Sequence, residues 1–102
     1  MRKIEQQTLD AIKSRKEWRC SNMAVFYISP AESGNPHGGR SEVYLHGNHI
    51  ADYWHDDNTV AVNTRTLTRW PSNTTLSRLR ALGANVRRGK GVILLNNEPL
   101  KA

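Results

Sequence analysis

The spacing of apolar residues changes several times along the chain, and each change marks an element. Over residues 2–16, Ile4, Leu9, Ala11 and Ile12 fall on one half of a helical wheel, with Trp18 continuing it. Arg2, Lys3, Gln6, Asp10, Lys13 and Glu17 take the other half, and no Gly or Pro intervenes. This is the pattern of an amphipathic helix. Met23 to Ser29 is instead β-branched and aromatic and stops at Pro30, as a strand does. Two prolines and three glycines between 30 and 40 predict a mobile loop, long for a hairpin.

The clearest local signal follows. Glu42 to His46 and His49 to Trp54 flank Gly47-Asn48, a two-residue hairpin signature. That turn pairs 46 with 49, 45 with 50 and 44 with 51. One face then carries Val43, Leu45, Ile50 and Trp54, and the other Tyr44, His46, His49, Ala51, Tyr53 and His55. A turn at Asp56-Asp57-Asn58 leads into a third strand over 59–64. Trp70-Pro71 forces extended backbone, and Ser72 to Thr75 supply N-caps for a short helix ending at Gly83, with Leu76, Leu79 and Leu82 as its buried stripe. Val86 to Arg88 and Val92 to Asn96 pair around Gly89-Lys90-Gly91. The run Val92 to Leu95 lacks alternation, which predicts burial on both faces. The expected fold class is α+β, one small domain over 1–102 in the order α-β-β-β-β-α-β-β, with a mostly antiparallel sheet and two helices.

Composition narrows the function. The chain has 102 residues and a formal net charge of +6. Its apolar runs are too short to span a bilayer, and its charged N-terminal segment has no signal-peptide core. Cys20 is the only cysteine, which excludes an internal disulfide or a multi-cysteine zinc cluster and makes a reducing cytosolic setting the default. Charge is uneven: net +3 over 1–20, −4 over 21–64 and +7 over 65–102. Six of the seven cations between 65 and 90 are Arg, whose planar fork suits phosphate and stacks on bases. Arg65, Arg69, Arg78, Arg80, Arg87, Arg88 and Lys90 are therefore the candidate polyanion-binding residues. Ser72, Asn73, Thr74 and Thr75 join them as a helix start whose free N–H groups can hold a phosphate, although capping alone explains those four. Tyr44, Tyr53, His46 and His49 are candidate base-stacking residues, although a second core layer explains the tyrosines equally. No sequence-reading RNA or DNA motif is present, so any such binding is expected to be non-specific.

Catalytic signals are weak. His46, His49, His55, Asp56 and Asp57 are the residue types of a metal-dependent nuclease, but two of the histidines bracket one tight turn and no third strong ligand stands at fixed spacing. Neither a Gly-x-Ser-x-Gly elbow nor a phosphate-loop spacing occurs. The expectation is no catalytic residue, no metal site and no cofactor.

Arg2 to Gln7 with Leu9 to Ile12, Val43 to Ala51, and Trp70 followed by Asn73-Thr74-Thr75 and Arg78-Leu79 together resemble small hypothetical proteins encoded by tailed bacteriophages. The likeness covers the first dozen residues and about 43–96, and the Asn-Thr-Thr-x-x-Arg-Leu segment is its most specific part. It implies a setting, the cytoplasm of an infected bacterial host, and carries no catalytic residues. Two functions then stand ahead of the nuclease. One is a non-catalytic accessory protein that binds nucleic acid. The other is an inhibitor or adaptor of anti-defence type that docks on an acidic surface of a host protein.

Overall fold

A computed structural model describes residues 2–34 and 39–100. The class is α+β, as expected, with more elements than the pattern announces. Helix α1 (Lys3–Lys13) is followed by β1 (Trp18–Cys20), β2 (Met23–Ile28), α2 (Pro30–Ser33), β3 (Arg40–Leu45), β4 (Asn48–Trp54) and β5 (Thr59–Val62). Helices α3 (Thr64–Arg69) and α4 (Asn73–Ala81) then precede β6 (Val86–Arg88), β7 (Ile93–Leu95) and β8 (Glu98–Pro99). Strands β1 to β5 form one antiparallel sheet in chain order, and β6 to β8 form a second, separate one.

Helix α1 is shorter than its charge pattern suggests. Arg15 adopts φ 53 and ends it, and the chain turns Trp18 into the edge strand β1 instead of extending the helix. The segment expected as a loop begins as helix α2, capped by Ser29 Oγ, which accepts the Glu32 N–H at 3.3 Å. The remainder of that expectation falls on residues 35–38, outside the described residues. Val92, expected in a doubly buried strand, stands exposed in the β6–β7 loop, and only Ile93 of that run is fully buried.

The β3–β4 hairpin departs from its predicted register by two residues beside the turn and by one beyond a bulge, with consequences for the side chains that follow. The turn is His46-Gly47, with φ 52 and 78, so glycine occupies the second of the two positive-φ positions that a tight hairpin needs. Leu45 pairs with Asn48, Tyr44 with His49, and Val43 with Ala51. Ile50 is thus an extra residue, a β-bulge. Because strand side chains alternate with a period of two, the bulge inverts the alternation after it. Ala51 and Tyr53 therefore turn inward, opposite Val43 and Ser41, while Asp52 and Trp54 turn outward.

The inner face packs Met23, Val25, Val43, Leu45, Ile50, Ala51 and Tyr53 against Ile12 of α1, Leu67 of α3 and the leucines of α4. Inside this layer lies an ion pair. Glu5 and Arg78 are 5% and 6% exposed, with Arg78 Nη1 donating to Glu5 Oε2 at 2.8 Å. Ser77 Oγ donates to the same oxygen at 2.6 Å, and the Arg2 backbone N–H donates to Oε1 at 3.2 Å. Burial alone would push the Glu5 carboxyl up. The three donors and the guanidinium charge more than offset this and hold it below its ordinary value of 4.5.

Candidate nucleic-acid interface

The basic third of the chain folds around the α3–α4 junction. Asn63 Oδ1 accepts the Thr66 N–H at 3.1 Å and starts α3, which places Arg65 and Arg69 one turn apart on an exposed surface. The helix stops at Trp70 (φ −132, ψ 71) because Pro71 disfavours helical backbone in the residue before it. Ser72 then caps α4, its Oγ accepting the Thr75 N–H at 3.1 Å. Between this junction and the β3–β4 hairpin lies a cleft of about 470 Å³. Leu45, Ile50, Trp70 and Pro71 make its apolar wall, and His46, Arg69, Ser72 and Thr74 its polar rim. Trp70 is half exposed, the largest apolar side chain so presented among the described residues. Arg88 Nη2 hydrogen-bonds the Pro71 carbonyl and reaches Asn73 Oδ1 at 3.5 Å. Arg69 thus lines the cleft with Trp70, and Arg88 is anchored on the next residue, Pro71.

The other expected residues divide. Arg87 and Lys90 are exposed at the β6–β7 hairpin, with Arg87 3.4 Å from Asn97 Oδ1. Arg80 is exposed but gives its Nε to the Val86 carbonyl at 2.8 Å. Thr75 is buried, and its hydroxyl meets that of Ser72 at 2.9 Å, so both serve the helix itself. Arg78 leaves the basic surface altogether. It lies on the inward side of α4 with Thr75 and Leu82, spaced three and four residues apart, and its charge is spent on Glu5.

The expected stacking set also divides. Tyr44 and His49 are neighbours on the outer sheet face, ring centroids 5.0 Å apart and nearly parallel, with Phe26 edge-on to Tyr44 at 5.4 Å. Burial, and then the Glu42 charge, push the Tyr44 phenol up. Tyr53, expected beside them, is buried on the opposite face by the Ile50 bulge, its hydroxyl donating to Asn58 Oδ1 at 3.1 Å. His46 is a turn residue at the mouth of the cleft.

The five nuclease-type residues do not converge. His49 bonds Asp52 at 2.8 Å, Asp57 accepts from the Thr59 hydroxyl at 2.7 Å, which holds its carboxyl below the ordinary value, and His55 faces the inner side. There His55 Nε2 lies 2.8 Å from Ser41 Oγ, with Tyr27 and Tyr53 against its ring. Ser41 has no exposed surface, so this pair is structural. Burial, and then the Arg15 charge, hold the imidazole below 6.5. The unfolded chain therefore binds that proton more readily, and stability present above about pH 6.5 is lost as pH falls through the lower folded value. The urea midpoint should drop between pH 7 and 5 in the wild type and much less in His55→Asn. An equal drop in both would refute this.

No helix among the described residues is long and apolar enough to cross a membrane. No curated protein matches the chain, and no solved structure does. A family model described as Kyanoviridae Gp96 protein matches residues 1–99.

Proposed function

Since the chain belongs to the Kyanoviridae Gp96 protein family, a family of phage proteins, we propose that it is a non-catalytic accessory protein that binds nucleic acid in the infected bacterial cell. One observation carries this reading: Arg69 and the exposed Trp70 line one cleft at the start of α4, and Arg88 is held on the carbonyl of the adjoining Pro71. Cations that track a phosphate backbone beside an aromatic ring on which a base can stack are the two components of sequence-tolerant single-strand binding. Arg65 extends the cationic path by one helical turn, and Arg87 and Lys90 add charge on the neighbouring hairpin. Cofactors play no part in this reading.

Salt titration against labelled single-stranded and duplex DNA and RNA tests it. With about four phosphates contacted, log affinity should fall against log salt with a slope of about −3 for single strands. Binding absent at low salt, or insensitive to salt, would reject it.

A second reading, an adaptor that docks on an acidic host-protein surface, is favoured by the same exposed Trp70 with Arg69 in one cleft, because Trp and Arg dominate protein interfaces. A stoichiometric host protein that stays with the chain after nuclease treatment, and leaves when Trp70 is replaced by Ala, would favour this reading over the first.

A further inference from the structure

We propose that Glu42, His49 and Asp52 form a binding site for a divalent transition ion, of the Zn²⁺ or Mn²⁺ kind, on the outer face of the five-stranded sheet. One ligand atom of each of the three lies within 4.8 Å of the other two. An ion with ligands at about 2.0–2.2 Å holds them about 3–4 Å apart. His49 Nε2 and Asp52 Oδ1 are hydrogen-bonded at 2.8 Å and need only part slightly as an ion replaces that bond, and rotation of the Glu42 side chain completes the set.

The backbone is arranged for this convergence. His49 and Asp52 are three residues apart, so a regular strand would put them on opposite faces. The Ile50 bulge returns them to one face and sets His49 opposite Tyr44 and Asp52 opposite Glu42. Re-aiming a side chain is a known use of such bulges, which are over-represented beside functional sites.

The surroundings hold the ligands without filling the site. Arg40 donates to Glu42 Oε2 at 3.2 Å, and the Tyr44 hydroxyl donates to Oε1 at 3.4 Å. The Tyr44 ring lies along the imidazole and fixes its plane. On the far side Asp52 pairs with Ala61, whose small side chain leaves room for water on the ion. Two carboxylates face one guanidinium, so the cluster itself attracts a cation. A nitrogen donor suits a transition ion better than Mg²⁺ or Ca²⁺, which take oxygen, and the absence of thiolate disfavours Cu(I). This site is separate from the cleft at Trp70, and neither depends on the other.

Calorimetry with Zn²⁺ on the full chain tests the proposal. One ion should bind per chain, with affinity lost by about tenfold or more in His49→Ala and in Asp52→Asn and unchanged in His46→Ala, whose imidazole is also accessible. No heat at about 100 μM Zn²⁺, a level at which a three-ligand site should load, or equal binding by His49→Ala, would overturn it. A second measurement needs no variant. Mn²⁺ should broaden the NMR signals of the His49 and Tyr44 rings first, and broadening that begins at His46 or His55 would equally overturn the assignment.

Discussion

Replacing Glu5 with Ala is expected to remove about 3–5 kcal/mol of stability, because it leaves the Arg78 guanidinium buried without its counter-charge. Arg78 is 6% exposed, and its Nε already lacks a hydrogen-bond partner among the described residues. A domain of this size has about 5–15 kcal/mol to lose, so the urea midpoint should fall by about a fifth or more. Replacing both partners by apolar residues, Glu5→Leu with Arg78→Met, should restore most of the loss, since two charges then escape desolvation together. A Glu5→Ala variant within about 1 kcal/mol of wild type would show that water reaches the pair and satisfies Arg78. The pair also sets the acid limit. The folded carboxyl lies below 4.5, so its stabilisation is complete above the unfolded value and disappears as pH falls through the folded one. Glu5→Gln should flatten that limb without touching the His55 limb at higher pH.

Reversing the two exposed charges of α3 gives the largest functional effect. Arg65→Glu with Arg69→Glu should lower nucleic-acid affinity by about tenfold to a hundredfold at moderate salt and reduce the salt slope by about two. The same charge change placed on α1, as Lys3→Glu with Lys13→Glu, alters net charge equally but lies on another element and should leave the slope nearly intact. Equal losses in the two variants would mean that the chain binds through overall charge, and the cleft at Trp70 would lose its claim. Both pairs are exposed, so circular dichroism should report an unchanged fold.

What the sequence made legible was local. The α1 pattern, the β2 strand, the capped helix α4 and the basic hairpin each depend on neighbours within a few residues, and each is found near its expected place. The Glu5–Arg78 pair joins residues 73 apart, and no short window contains both. A trace existed in α1, where Glu5 and Thr8 stand seven and four residues before Ile12 and so share its buried side. The Ile50 bulge left a mark as well, two adjacent apolar residues, Ile50 and Ala51, where alternation should hold. Strict alternation puts Tyr53 on the outer face and Trp54 on the inner one, the reverse of what the bulge produces, and the approach of Glu42 to His49 comes from the facing strand and not from any fixed spacing. At the cleft, the sequence named His46, Arg69, Ser72 and Thr74, with Arg88 nearby, but their grouping around Trp70 depends on how α3, α4 and the β3–β4 hairpin pack.

The buried carboxylate on the first helix also sets a schedule for the chain as it is made. Arg78, the partner of Glu5, is synthesised 73 residues after it. At about 5–20 residues per second, the wait is on the order of 4–15 s, whereas a hairpin such as β3–β4 closes in about 1–10 μs. The central strands can therefore settle long before the first helix has anything to neutralise it. Helix α1 consequently carries an unpaired carboxylate until α4 has been made, and the burial of that face waits on the later segment.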